Sequence, residues 1–512
     1  MSRRFWPPDW RSDYHVARMI QTRSFPRLIS CIAAGWLAAP SALTAPAPAT
    51  LELRECQFEQ MLGGTAAARC GRMRVPENRD DPASRTIELR VTVIPSLRLQ
   101  PEPDPLVVIS GGPGQSATSF YASIGPALAA IRRERDILVV DQRGTGESQR
   151  LDCEFDNDAD IVTTDPAHLR ELGAACLAKL PGDPRFYTTS VAVRDLDDVR
   201  AALGYEQLNL YGVSYGTRVA QHYLRRYPQR VRTLTLDGVV PVDLALGPDI
   251  ALRAQAALDA IFDRCAAEQQ CEKAFPRVRE QFRALHATLD VKPASVRLPD
   301  PVNAQMIDST FGNLHLNAAV RMLTYSDETA SLLPLLIHEA QSGKRLEAFV
   351  AQYLMIERMM ELQFAYGMHF AVVCSEDAPR WDGANISSDE LAATYLGTNF
   401  MQGMRAVCDI WPRGVVDAGF NAPLRSDVPT LILSGGNDPV TPAEYGARAI
   451  ESYARGRHLV LDGQGHGQLA TGCMPRLLST FIRNADAAGL DTTCLKGVKP
   501  APFMLSPVAT GP

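Results

Sequence analysis

The chain has 512 residues, 46% of them hydrophobic, with 58 acidic and 52 basic side chains and a net charge of −6. That length exceeds the roughly 250–300 residues of one typical core, so a core carrying a large insertion is expected. A mildly acidic chain with no long basic run lacks the electrostatic footprint of a nucleic-acid-binding protein.

Residues 1–49 read as a secretory signal. Arg4, Arg11, Arg18, Arg23 and Arg27 precede an apolar stretch, Leu28 to Ala42, that is short for a bilayer span and interrupted by Gly35 and Pro40. Ala47-Pro48-Ala49 supplies a small-x-small cleavage pattern, which puts the mature start at Thr50. Met19 offers an alternative start. Cys31 sits in Leu-Ile-Ser-Cys, but the apolar run follows it instead of preceding it, which argues against lipidation. The expectation is a periplasmic or secreted protein with no stable membrane span after cleavage.

Thr86 to Ile94 alternates as an early strand. Leu106-Val107-Val108-Ile109 reads as a short buried strand and leads into Ser110-Gly111-Gly112-Pro113-Gly114-Gln115-Ser116. Ile137 to Val140 is the next strand, ending in Asp141-Gln142-Arg143-Gly144-Thr145-Gly146-Glu147-Ser148. Gln207 to Tyr211 then runs into Gly212-Val213-Ser214-Tyr215-Gly216, which opens a helix-like stretch through Arg226. On its own the pentapeptide also fits an ordinary Gly-Ser turn. Between a strand and a helix it fits a nucleophile elbow, whose glycines allow the sharp turn that exposes Ser214 Oγ. The helix start would aim backbone N–H groups at a developing oxyanion.

Val231 to Leu236 is the strand after that helix. From about Pro241 to Pro423 the strand signal gives way to helical periodicity, seen in Ala251 to Phe262, Val278 to Leu289 and Leu346 to Phe364. The stripe Tyr353, Met355, Met359, Met360, Phe364, Tyr366 and Met368 reads as helix packing before it reads as a substrate wall. His222, His315, His338 and His369 lack the context of a catalytic loop and read as packing or surface residues.

Two strands then end the pattern. Thr430 to Ser434 leads into Gly435-Gly436-Asn437-Asp438-Pro439-Val440-Thr441-Pro442, and His458 to Leu461 leads into Gly463-Gln464-Gly465-His466-Gly467. Each delivers one polar group to a glycine-rich loop at its carboxyl end, where open α/β sheets build sites. A serine nucleophile needs an imidazole to take its proton and a carboxylate to orient that imidazole. The chain order Ser214, Asp438, His466 is that of an α/β-hydrolase. The predicted fold is therefore α/β, a mostly parallel central sheet with a helical cap inserted before the strand that carries the catalytic Asp. Residues 50–240 form the first part of the core, 241–424 the cap, and 425–512 the second part with a C-terminal disulfide segment.

Eleven cysteines leave ten beyond the leader. They fall in local pairs, Cys56 with Cys70, Cys153 with Cys176, Cys265 with Cys271, Cys374 with Cys408 and Cys473 with Cys494, and secretion makes five disulfides the natural reading. No Cys-x-x-Cys or clustered histidine spacing points to a metal.

Four of these segments together carry a family resemblance. Ser-Gly-Gly-Pro-Gly at 110–114, Asp-Gln-Arg-Gly-x-Gly-x-Ser at 141–148, Gly-x-Ser-Tyr-Gly at 212–216 and Asp-x-x-x-Pro at 438–442 make the chain similar to the prolyl-iminopeptidase and tripeptidyl-aminopeptidase group of serine hydrolases, over most of residues 50 to 505. That group usually carries His where Ser110 stands. The difference predicts altered hydrogen bonding in the loop, with the oxyanion hole kept by backbone N–H groups of Gly112 and Tyr215. Asp141 and Arg143 are expected to brace the loops.

The resemblance also implies that cap carboxylates receive a substrate's free α-amine, which nominates Glu376 and Asp377 as substrate-binding residues. The competing reading makes both of them helix-start carboxylates that complement the macrodipole. The implied activity is an aminopeptidase releasing single residues or short peptides. A carboxylester or amide hydrolase is the alternative within enzymes, and a non-catalytic binding protein the alternative outside them. The expected partner is a peptide or a small ester or amide. No cofactor, metal or nucleic acid is implied, and a monomer or small homo-oligomer is expected.

Overall fold

The computed structural model describes residues 51–59, 65–153, 163–343 and 345–507, and the backbone of 509–510. The expected leader, its expected cleavage site and Cys31 fall on residues 1–50, outside the described residues.

Nine strands make the central sheet: β1 (Arg54–Glu59), β2 (Thr65–Pro76), β3 (Thr86–Ile94), β4 (Glu102–Ile109), β5 (Arg135–Val140), β6 (Leu208–Val213) and β7 (Val231–Asp237), then, after the hairpin strands β8 (Ala294–Pro299) and β9 (Met306–Phe311), β10 (Thr430–Gly435) and β11 (Gly456–Leu461). Their order is β1-β2-β3-β5-β4-β6-β7-β10-β11. From β5 to β11 the neighbours run parallel, whereas β1, β2 and β3 join antiparallel at one edge. Helices cover both faces of the parallel strands, and β4, β6 and β10 bury nearly every residue. One layer packs Val107, Leu138, Leu210 and Ile432 against the nucleophile helix Tyr215–Arg226. The other packs Val108, Val139, Tyr211 and Leu431 against the helices Ala117–Ile124 and Met474–Asn484.

The stretch between β7 and β10 is mostly helical and has an apolar core of its own, built on Leu258, Phe262, Phe282, Leu316 and Phe349. The predicted helices occur as Ile250–Ala267, Val278–Val291 and Glu347–Gln363. One expectation fails there. The insert is not strand-free, because β8 and β9 pair as an antiparallel hairpin. In β8 only Val296 and Leu298 are buried, an alternation six residues long that the stronger helical pattern around it masks. At the sheet edge, β1 and β2 were also illegible, since Ala66 and Ala68 are weak markers of a buried face.

The ten cysteines pair as expected: Cys56–Cys70, Cys153–Cys176, Cys265–Cys271, Cys374–Cys408 and Cys473–Cys494. Among the described residues no helix is long and apolar enough to cross a membrane.

Candidate active site

The elbow is built by close backbone approach. A Cβ on Gly212 would lie 2.4 Å from the carbonyl oxygen of Gly216, and one on Gly216 would lie 2.4 Å from that of Ile109. Both positions therefore demand glycine. The turn forces Ser214 into φ 55°, ψ −126°, a region L-residues rarely occupy and one found where a fold holds strain at a functional position. Its N–H donates to the carbonyl of Asp237 at 2.9 Å, and its own carbonyl accepts from Thr217 N at 2.9 Å, so the helix begins immediately after it.

His466 and Asp438 arrive from the adjacent ends of β11 and β10. His466 Nδ1 lies 2.7 Å from Asp438 Oδ2. Asp438 has no exposed side-chain surface, and its other oxygen accepts from Val440 N at 2.9 Å and Thr441 N at 2.8 Å. Thr441 Oγ1 donates to Asp438 Oδ2 at 2.8 Å and lies 3.1 Å from His466 Nδ1. This arrangement puts the Nδ1 proton toward the carboxylate and leaves Nε2 to act as a base. Burial pushes the His466 imidazole down, but the Asp438 charge and hydrogen bond outweigh it, so the pKa is raised on balance.

A further carboxylate ties the two halves together. Asp237, at the end of β7, accepts from Gln468 N at 2.8 Å, Leu469 N at 3.0 Å and Tyr211 Oη at 2.8 Å, which pins the loop carrying His466 to the strand leading into the elbow. Burial raises its pKa to about 6, partly offset by these donors. The sequence reading missed it, although Leu-Asp-Gly at a strand end is the signal that could have found it.

Around the glycine-rich loop, Gly112 and Gly114 adopt φ of 107° and 104°. A Cβ on Gly111 would sit 3.0 Å from Ser214 Cβ, so this loop lies directly against the elbow. Ser110 Oγ donates to Gln115 O at 2.7 Å, and Gln115 Oε1 accepts from Gly111 N at 3.2 Å, so the loop is braced from within. Asp141 accepts from Ser116 Oγ, Thr118 N and Glu147 N, while Arg143 grips Asp195 at 2.6 and 2.8 Å; both brace as expected.

The insert reaches the site at two places. Ala365 N donates to Gly114 O at 2.9 Å and Ser116 N to Gln363 O at 3.1 Å. On the other loop, Tyr325 O accepts from His466 N at 2.6 Å, and the Tyr325 ring stands edge-on to the imidazole at 5.2 Å.

Glu376 and Asp377 close the helix Tyr366–Glu376 at its carboxyl end, so they are not the helix-start carboxylates of the competing reading. Both side chains are fully buried. Asp377 takes Arg218 at 2.8 and 2.9 Å and Leu246 N at 2.8 Å. Glu376 accepts from Thr189 N at 2.7 Å and Thr189 Oγ1 at 3.0 Å and lies 3.6 Å from Arg218. The pair neutralises an arginine of the nucleophile helix, so an open ammonium receptor is not what this packing provides. Thr189 also meets Tyr215 Oη at 2.7 Å, and Gln142 Nε2 donates to the same oxygen at 3.0 Å, so the network holds the side chain next to Ser214. Burial raises the Glu376 pKa to about 7 against the pull of Arg218. Of the four histidines without a catalytic-loop context, His222 lies 3.0 Å from Asp417, His338 is 3.3 Å from Gln281, His315 accepts from Gly312 N, and the half-buried His369 is 3.3 Å from Pro113 O.

Comparison with known proteins agrees with this architecture. The chain is 25% identical over 453 residues to the serine protease Hip1 of Mycobacterium tuberculosis, covering 81% of this chain and 85% of that one. It is 31% identical over 188 residues to the tripeptidyl aminopeptidase of Streptomyces lividans, covering 33% and 35% of the two chains. Carboxylesterase B of M. tuberculosis is 28% identical over 410 residues, covering 74% and 77%. The family model described as the α/β hydrolase fold matches residues 104–472, from β4 through the His466 loop. With that span and this strand order, the chain is an enzyme of the α/β-hydrolase family, of the kind that includes serine peptidases.

Proposed function

We propose that Ser214, His466 and Asp438 form the catalytic triad of a secreted or periplasmic aminopeptidase that removes single residues or short peptides from free N-termini. Ser214 Oγ attacks the scissile carbonyl as His466 Nε2 takes its proton, and Asp438 stabilises the imidazolium that results. Backbone N–H groups of Tyr215 and Gly112 hold the oxyanion. His466 then protonates the leaving amine, and water resolves the acyl-enzyme by the reverse sequence. The observation that carries the reading is the 2.7 Å His466–Asp438 contact delivered beside a strained elbow serine. The named relatives support peptide substrates, and five disulfides support an oxidising compartment. Residues 241–424 act as a cap that restricts access to the nucleophile.

A carboxylester or amide hydrolase is the second reading. It is favoured by the carboxylesterase relative and by the engagement of Glu376 and Asp377 with Arg218, which leaves neither free for an ammonium. Fluorogenic tripeptidyl amides with free and acetylated N-termini, run beside a p-nitrophenyl ester, separate the two. The aminopeptidase reading expects strong preference for the free amine. Equal cleavage of blocked and free peptides, or ester cleavage alone, transfers the assignment to the second reading.

A further inference from the structure

Arg321 lies on the insert helix Asn313–Leu323, one turn before Tyr325. Its guanidinium sits over the Tyr325 ring at 5.7 Å and the Phe400 ring at 5.4 Å, and Nη2 donates to Tyr325 Oη at 3.1 Å. Tyr325 is the residue whose ring and carbonyl both meet His466. The cation is thus one side chain removed from the base of the triad. Arg321 Nε is buried without a hydrogen-bond partner, and so is the hydroxyl of Tyr395. Arg321 also lowers the otherwise burial-raised pKa values of both Tyr325 and Tyr395, which places the two phenols within its field.

What Arg321 lacks is an acid. Arg143 and Arg218 each hold a carboxylate at 2.9 Å or closer, whereas among the described residues no carboxylate lies within 4.0 Å of Arg321. Arg321 and Tyr325 both keep partial exposure, as do His466 and Ser214, so the guanidinium is held by aromatic rings yet not sealed away. A guanidinium offers a planar fork of N–H donors matched to a carboxylate, and an N–H left unpaired in a partly dry site is a cost that an incoming anion removes.

We propose that Arg321 anchors a carboxylate of the substrate, so that the enzyme favours peptides carrying a negative charge close to the bond it cuts. The proposal deepens the peptidase reading and rests on it for the identity of the substrate. The carboxylate has two sources in a peptide, an acidic side chain or the C-terminus of a short chain, and they call for separate arms.

The first arm compares Ala-Ala-Glu and Ala-Ala-Gln p-nitroanilides. The second compares the free acid of trialanine with its amide. In at least one arm the wild type should prefer the charged member by about ten- to a hundredfold in kcat/KM, mostly through KM, the range a charge-assisted hydrogen bond supports. The preference should collapse toward unity in Arg321→Gln and return in part in Arg321→Lys. Should Arg321→Gln fail to fold, the wild-type ratio and Arg321→Lys carry the decision. The same pairs are titrated calorimetrically against Ser214→Ala protein with and without Arg321→Gln. Charge-dependent binding that needs Arg321 sustains the site even if no peptide is turned over, in which case the peptidase reading alone falls. A ratio near one in both wild-type arms and in the titration, or a preference that Arg321→Gln leaves intact, overturns the proposal.

Discussion

Two arginines, Arg218 in the nucleophile helix and Arg321 in the insert, sit on two sides of the same catalytic neighbourhood and are treated in opposite ways. Arg218 is closed off by Asp377 and Glu376 and continues through Thr189 to the Tyr215 side chain. Arg321 is caged by aromatic rings and, among the described residues, has no carboxylate within 4.0 Å. A buried charge that is fully paired contributes chiefly to the shape of the fold, because removing one partner strands the other in a dry environment. A charge left open has electrostatic capacity to give to a ligand. The core side of the elbow is therefore a scaffold for Ser214, and under the proposal above the insert side is where substrates are selected.

Breaking the triad should give the largest effect. Ser214→Ala or His466→Ala is expected to lower kcat by about 10⁴-fold or more, and the double variant should lose little beyond either single one, since the groups act as a unit. Ester hydrolysis with a burst titration measures this, and near wild-type turnover by Ser214→Ala would remove the assignment. The next effect lies on the core side and is one of stability. Asp377→Ala leaves Arg218 with Glu376, 3.6 Å away, as its remaining carboxylate, beside the Leu244 carbonyl at 3.1 Å, and should cost about 3–5 kcal/mol in denaturant unfolding. Per folded molecule, ester turnover should fall far less than for the triad variants. A stable but inactive Asp377→Ala would instead place Asp377 in the chemistry and dissolve the contrast.

Glu376 sharpens the comparison by pH. Its folded pKa of about 7 lies above its unfolded value near 4.5, so the folded state binds the extra proton. Stability from this group is present below about pH 4.5 and is lost as pH climbs to about 7, at no more than about 1.4 kcal/mol per pH unit. Glu376→Gln should flatten that slope. Asp237, raised by burial to about 6, contributes with the same sign, so part of the slope persists. An unchanged slope in Glu376→Gln would mean that the carboxylate stays ionised beside Arg218. The smallest effect is expected at Ser110. Ser110→Ala removes one hydrogen bond to Gln115 O and should cost about 1 kcal/mol, measured as a shift in the denaturation midpoint. A much larger loss would show that this bond holds the entire glycine-rich loop.

The same division explains what the sequence revealed. Strands β4, β5 and β10 were visible because each holds a short apolar run covered on both faces, and β6, β7 and β11 because their apolar residues recur in short segments bounded by loops. Ser214, Asp438 and His466 were visible because each stands at the end of such a run, among glycines that close packing requires. The disulfides followed from short sequence separations, 6 residues for Cys265–Cys271 and 34 for Cys374–Cys408. Arg218 and Thr189 were invisible because their significance lies in partners far along the chain. Thr189 and Glu376 are 187 residues apart and Arg218 and Asp377 are 159 apart, and no local pattern encodes such pairings. Glu376 and Asp377 were nominated to receive a substrate's amine. Their partner turned out to be an internal guanidinium, which only the folded chain discloses.

The cluster that joins the insert to the core has an optical consequence. Cys153, Cys176, Cys374 and Cys408 pack there with Trp381 and Trp411, and the chain's remaining tryptophans, Trp6, Trp10 and Trp36, all precede Thr50. In a protein that begins at Thr50, tryptophan emission would originate solely from this one cluster, beside two disulfides, which quench indole fluorescence by accepting an electron. Reduction of those bridges would brighten the emission before any of the three remote disulfides contributed a signal. The molecule thus carries a built-in reporter at the seam between sheet and insert, readable without labelling.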